Sequence, residues 1–122
     1  MMSNVLVVED DPTLRWLMAE AVEHLGYGVT ECASADEALG VLELAKSFAL
    51  LITDVRMPGS IDGLGLAKIV WLTRPDLPVL IISGHTELPP GFLPANSRFL
   101  KKPCTIDGLS STIKILLSPN EH

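Results

Sequence analysis

Four short apolar runs in this chain each end in polar residues, and these endings constrain the fold more than any other feature. Residues 4–8 run into Glu9, Asp10 and Asp11, and residues 50–53 run into Asp54. Residues 79–82 run into Ser83, and a weaker run, 98–100, leads to Lys101, Lys102 and Pro103. Taken as parallel strands of one sheet, the runs bring acids, a hydroxyl and an amine to a single edge. Open α/β sheets hold their ligands at that edge. Such a set of side chains suits a metal ion together with a phosphoryl group.

The segments between the runs carry helical signals. Asp11 is a good N-cap and Pro12 is tolerated in the first turn, so a helix is expected from Asp11. Leu14, Leu17, Met18, Ala21, Val22 and Leu25 then recur at helical spacing, and Gly26 is a natural residue just past the end. Gly28 to Cys32 reads as a second strand. Ser34 with Glu37 reads as a capping box opening a helix through about Lys46. The run ending at Asp54 is apolar on both faces, as a central parallel strand should be. After a Pro58-Gly59-Ser60 loop, a helix from about Asp62 carries Leu64, Ala67 and Trp71 on one face. It stops at Arg74, because the residue before a proline disfavours the α conformation.

A fourth helix is expected next, yet Pro89, Pro90, Gly91 and Pro94 fall there. A proline inside a helix costs about 3 kcal/mol, which predicts a loop or a single turn instead. A short fifth strand at 97–100 follows. Thr105 then caps a last helix carrying Ile106, Leu109, Ile113, Leu116 and Leu117, which Pro119 ends. Five strands alternating with helices predict a doubly wound parallel sheet with right-handed crossovers and the fourth helix shortened or lost.

The chain of 122 residues is expected to form one domain over 1–122. Its 48% hydrophobic content argues against disorder, and its net charge of −6 argues against nucleic-acid contact. No apolar run approaches the roughly 20 residues of a membrane span, and the N-terminus has no signal-peptide pattern. Cys32 and Cys104 match no metal-ligand spacing and read as free thiols in a reducing compartment, which points to the cytoplasm. His24 and His122 have no evident partner and are expected to be exposed.

The chemistry gathers at the strand ends. Adjacent parallel strands lie about 4.8 Å apart, so Glu9, Asp10 and Asp54 come close. Two like charges about 4 Å apart cost on the order of 4 kcal/mol at a near-surface dielectric. A divalent cation offsets that cost, and oxygen ligands with retained waters describe Mg²⁺ better than Zn²⁺. A solvated acidic loop is the plain alternative. Capping accounts for Asp11 fully, while Asp10 and Asp54 taken alone fit either reading. Lys102 tips the balance, since a compact ammonium beside carboxylates can reach a phosphoryl oxygen. Lys101 reads as a solvated charge, and Ser83 as a hydroxyl donor or a strand-end turn residue.

Four motifs in order, Val5-Leu6-Val7-Val8-Glu9-Asp10-Asp11, Thr53-Asp54-Val55-Arg56-Met57-Pro58, Ile81-Ile82-Ser83-Gly84 and Lys102-Pro103, resemble the CheY-like response-regulator receiver domains of two-component signalling. The resemblance implies the flavodoxin-like strand order 2-1-3-4-5. By position, Asp54 resembles the aspartate that accepts a phosphoryl group from a histidine kinase or histidine phosphotransferase. Asp10 and Asp54 resemble the Mg²⁺ ligands, with Glu9 acting through water and the Arg56 backbone carbonyl completing the set. Lys102 resembles the lysine that contacts the phosphoryl group. Ser83 and Phe99 resemble the switch pair. The Lys102-Pro103 bond is cis in this family. The resemblance implies a phosphorelay protein, a phosphoprotein rather than a turnover enzyme, with an unnamed downstream protein partner.

The chain departs from the family in two places. The loop after Met57-Pro58 is one residue longer than usual, and the stretch from Ser83 to Lys102 is shorter and richer in proline. The second departure weakens any carry-over of the family's output face and favours a piece of a hybrid kinase or larger regulator. Arg56 and His85 each lie two residues beyond a key position and are expected to tune phosphoryl lifetime. Three rival readings stand beside this one. An FMN-binding module would want a Ser- and Gly-rich loop where Glu9-Asp10-Asp11 stands. An aspartate-based phosphatase usually has a second acid where Arg56 stands. A degenerate receiver acting as a phosphorylation-independent interaction module would not need the full set of Glu9, Asp10, Asp54, Ser83 and Lys102.

Overall fold

The computed structural model describes residues 3–44, 47–84, 88 and 91–117. Its elements in chain order are β1 (Asn4–Val8), α1 (Pro12–His24), β2 (Gly28–Cys32), α2 (Ala35–Leu44) and β3 (Leu50–Asp54), followed by α3 (Gly63–Thr73), β4 (Val79–Ser83), β5 (Ser97–Lys101) and α4 (Ile106–Leu117). All pairings are parallel, and the strand order is β2-β1-β3-β4-β5. This is the doubly wound, flavodoxin-like order expected.

Alternation along the strands sorts the core into two layers. Val5, Val7, Leu50, Ile52, Leu80 and Ile82 face α1 and α4, where they meet Met18, Val22, Leu109 and Ile113. Leu6, Val8, Leu51, Val79 and Ile81 face α2 and α3, where they meet Ala38, Leu42, Leu66 and Val70. Every residue of β3 and β4 is buried, because both strands lie inside the sheet with helices on both faces.

The helix ends follow local chemistry. Asp11 Oδ1 accepts the Thr13 and Leu14 N–H groups at 2.9 and 3.3 Å. Asp62 Oδ1 accepts the Gly65 N–H at 2.8 Å, and Thr105 Oγ1 accepts the Gly108 N–H at 2.9 Å. The first helix gives way to Gly26 at φ +93°. Ser34 Oγ accepts the Glu37 N–H at 3.1 Å, as a capping box requires. The Glu37 carboxylate does not return to Ser34, however. It reaches past the cap to the Ala33 N–H at 2.8 Å.

Three expectations change in detail. The second helix ends at Leu44, and Lys46 lies outside the described residues. Leu17 is only half-buried, while Ala19, off the expected stripe, is buried. Ile106 is 47% exposed, because it opens α4 between the exposed Thr105 and Asp107.

Among the described residues between β4 and β5 there is no helix. Leu93 packs against the α2 and α3 core layer there. The Phe92 ring meets Trp71 of α3 edge-on at 5.9 Å, and the Trp71 indole N–H donates to Ser97 Oγ at 3.1 Å. Pro89, Pro90, Pro119, His85 and His122 lie outside the described residues, while His24 is exposed as expected. No helix among the described residues is long and apolar enough to cross a membrane.

Candidate functional site

The pleat that builds one core layer also builds the site. Val5 and Val7 face α1 and α4, and the same row continues to Glu9. Leu50 and Ile52 continue to Asp54, and Leu100 continues to Lys102. The register aligns the ends, since Val8 pairs with Thr53 and Ser83 pairs with Lys101. One further step of the ladder, Lys102 N–H to the Ser83 carbonyl at 2.9 Å, carries Lys102 beyond the strand. A row that is apolar inside the sheet therefore turns polar where the sheet stops.

Lys102 Nζ lies 2.9 Å from Asp54 Oδ2 and 3.5 Å from Glu9 Oε1. The other Asp54 oxygen, Oδ1, accepts the Val55 N–H at 2.7 Å. Oxygen atoms from Glu9, Asp10 and Asp54, one from each, all lie within 4.8 Å of one another. Asp10 is exposed, whereas Glu9 and Asp54 are 1% and 5% exposed. Glu9 Oε2 accepts the Asp11 N–H at 3.0 Å, but among the described residues no hydrogen-bond donor satisfies the buried Oε1. Burial pushes the Glu9 carboxyl up to about 7. The Asp11 N–H opposes this shift, and the negative Asp54 adds to it. Burial draws the Lys102 ammonium down, yet the hydrogen bond to Asp54 and the charges of both carboxylates outweigh burial and raise its pKa above the ordinary lysine value.

A close approach of backbone to backbone locks the loop after Asp54. The Gly63 N–H donates to the Val55 carbonyl at 2.8 Å. A Cβ at Gly63 would fall 1.5 Å from the Asp54 carbonyl oxygen and 2.7 Å from Thr53 Oγ1. Only glycine lets α3 start this close to the end of β3.

A cavity of about 510 Å³ opens over Asp54. Ser83, Arg56 and Lys102 line it, and Leu14 and Cys104 form its apolar side. Ser83 is buried at the end of β4. Phe99 is half-buried on β5 and packs against the α2 and α3 layer. Lys101 is exposed, and the Lys102-Pro103 bond is cis.

Two contributors escaped the sequence reading. Arg15 donates from Nη1 to the Glu9 carbonyl at 2.9 Å, and its Nε lies 3.4 Å from Glu31 Oε1, which ties the ends of β1 and β2 to α1. Its only signal was a charged residue in the first turns of a helix that follows the acids. Cys104 lines the cavity, and only its position next to Lys102-Pro103 hinted at that.

The donors fit a hard divalent cation. All are oxygens, the exposed Asp10 leaves room for retained water, and the unsatisfied Glu9 Oε1 is the kind of acceptor that a metal-bound water satisfies.

Comparison with known proteins agrees. The family described as response regulator receiver domain matches residues 5–114. The C4-dicarboxylate transport transcriptional regulatory protein DctD of Rhizobium meliloti (strain 1021) is 40% identical over 70% of this chain and 18% of DctD. The sensor kinase CckA of Brucella abortus (strain 2308) is 34% identical over 98% of this chain and 13% of CckA. This chain thus spans less than a fifth of either relative. It spans 98% of the response regulator receiver protein CpdR of the same Brucella strain, at 32% identity over 95% of this chain. Among solved structures, the complex of histidine kinase ThkA with response regulator TrrA matches with a TM-score of 0.78 and 26% identity, over 96% of this chain and all of the matched chain. With the family match spanning all five strands and the fold agreeing, this chain belongs to the response regulator receiver domain family.

Proposed function

We propose that this receiver accepts a phosphoryl group on Asp54, with Mg²⁺ as cofactor, from a histidine kinase or histidine phosphotransferase, and changes conformation in response. The observation that carries this reading is the ammonium of Lys102 at 2.9 Å from Asp54 Oδ2, within a cluster of three carboxylates at the ends of the neighbouring strands β1 and β3. Asp10, Asp54 and the Arg56 backbone carbonyl would hold the metal, with Glu9 reaching it through water. The ion neutralises charge on the transferring group when bound.

A carboxylate oxygen of Asp54 attacks phosphorus, forming the O–P bond of an acyl phosphate. The P–N bond to the donor imidazole breaks, and its electron pair stays on the imidazole nitrogen. Lys102 supplies positive charge where negative charge builds up, so the protein's part is positioning and electrostatics. The aspartyl phosphate then adds charge and strong acceptor oxygens at a buried strand end. Ser83 and Phe99 stand on adjacent strands and the same sheet face, since Ser83 follows the row of Ile81, which pairs with Phe99. That placement supports a coupled pair in which the hydroxyl moves toward the phosphoryl group and the aromatic ring fills the vacated side. Arg56, exposed at the cavity mouth, is assigned a role in setting phosphoryl lifetime. The chain turns over no separate substrate in this scheme.

The ThkA–TrrA complex supports a kinase as donor. The acidic charge supports a protein partner rather than nucleic acid, and the free thiols support a cytoplasmic setting. The test incubates the protein with Mg²⁺ and acetyl phosphate, or with beryllofluoride, and reads mass or tryptophan fluorescence. Parent protein is expected to respond and Asp54→Asn is not. An equal mass gain in both proteins would reassign the acceptor, and no response to either reagent or to a histidine kinase would refute the proposal.

A further inference from the structure

The loop between β3 and α3 is held by a residue far from it in sequence. Asp36, in the first turn of α2, accepts the Ser60 hydroxyl at 2.8 Å on Oδ1 and the Ser60 N–H at 3.0 Å on Oδ2. The Ile61 N–H also bears on this carboxylate, and together these donors hold it below the usual carboxylate range. Gly59 makes the approach possible. It sits at φ +124°, and a Cβ there would lie 2.7 Å from Asp36 Oδ2.

The loop from residue 56 to residue 62 is thus fixed at both ends and near its apex. Its base closes through Gly63 N–H to Val55 C=O at 2.8 Å. Met57 and Ile61 pack on the α2 and α3 core. The clasp to Asp36 then leaves the segment between Val55 and Ser60 suspended between two anchored points. Arg56 lies in that segment.

We propose that Asp36 is a positioning residue for divalent-cation binding: its bidentate grip on Ser60 presets the loop backbone so that the Arg56 carbonyl already faces the acidic cluster. The inference rests on the metal assignment proposed above. A loop ordered before the ion arrives loses little freedom on binding, so affinity depends on the clasp although Asp36 is no ligand itself.

The test titrates MgCl₂ calorimetrically into parent, Asp36→Ala, Asp36→Asn and Ser60→Ala proteins. In parallel, hydrogen exchange of the 56–62 amides is measured without metal. Asparagine keeps the geometry, because its carbonyl can take the Ser60 N–H while its amide donates to Ser60 Oγ, but it removes the charge. Asp36→Ala is expected to weaken Mg²⁺ binding about fivefold and to speed exchange across the loop, with Asp36→Asn and Ser60→Ala weaker by about twofold. Unchanged affinity in both Asp36→Ala and Ser60→Ala, with parent binding intact, overturns the proposal. An Asp36→Asn protein as weak as Asp36→Ala but with normal loop exchange also overturns it, by making the effect one of charge. Unchanged loop exchange in Asp36→Ala removes the clasp whatever the metal does. Failure of the parent to bind Mg²⁺ while its loop amides stay protected brings down the metal assignment, and this inference with it.

Discussion

Replacing Lys102 with methionine keeps the length of the side chain and removes its charge from a pocket that holds two buried carboxylates. Lys102 Nζ is 2.9 Å from Asp54 Oδ2 and 3.5 Å from Glu9 Oε1, and the three side chains are 28%, 8% and 1% exposed. Without metal, the Glu9 pKa of about 7 exceeds its ordinary 4.5. A carboxyl raised in this way supports folding fully below 4.5, and that support is lost as pH rises through 7. At 1.36 kcal/mol per unit, the loss in the parent is about 3 kcal/mol. Lys102 works in the same sense but at higher pH. Its raised pKa supports folding fully below the ordinary lysine value, and that support is lost only as pH rises through the raised one. Lys102 also holds the Glu9 carboxyl down, so its loss raises that pKa further, and it is at about pH 9 that the methionine variant leaves the carboxylate pair with no cation. The cost lies between a surface pair, under 1 kcal/mol, and a fully buried one, 3–5 kcal/mol, so about 2 kcal/mol is expected. At about pH 5.5 Glu9 is mostly protonated and only Asp54 loses a partner, which cuts the penalty to about 1 kcal/mol. Urea unfolding at both pH values, with and without MgCl₂, measures these differences. Mg²⁺ should recover part of the loss at the higher pH. A penalty equal at both pH values, or larger at the lower one, would refute the account of how these groups share charge.

The glycines supply a contrast of sign. Gly63→Ala should cost about 3 kcal/mol in chemical denaturation and abolish phosphoryl acceptance, because the added carbon meets the Asp54 carbonyl at 1.5 Å and backbone cannot yield. Gly40→Ala, in the middle of α2 with nothing within 4 Å of the new carbon, should instead stabilise by about 1 kcal/mol. A thiol reagent such as DTNB should modify Cys104, half-buried at the cavity, well before Cys32. Cys32 is 3% exposed, and burial, with Glu37 nearby, pushes its thiol up to about 11. Equal rates for the two thiols in the native protein would contradict the placement of one of them.

Short-range signals made most of the architecture readable. Asp11, Asp62 and Thr105 cap helices because a side-chain oxygen finds an N–H two or three residues ahead, an interaction contained within one turn. The prolines before β5 argue against a helix there by the same local logic, and in its place Leu93 packs on that core layer and Phe92 meets Trp71. The polar ends of the strands were visible too, because residues two apart share a sheet face, so Val7 points to Glu9 and Ile52 to Asp54.

What the chain alone determined was therefore the sequence of elements, most of their inward-facing residues and which acids, hydroxyl and amine stand where the strands stop. Only tertiary structure decided how those groups divide one another. Asp11 takes one oxygen of Glu9, the other has no hydrogen-bond donor among the described residues, and Lys102 sits closer to Asp54 than to Glu9. Arg15 links two strand ends, Trp71 reaches Ser97, and Asp36 grips Ser60 across 24 residues. Periodicity and capping report on neighbours within a turn or a pleat. Distances between remote side chains depend on the path of each loop and the register of the sheet, and a few tenths of an ångström there separate a hydrogen bond from an unsatisfied atom.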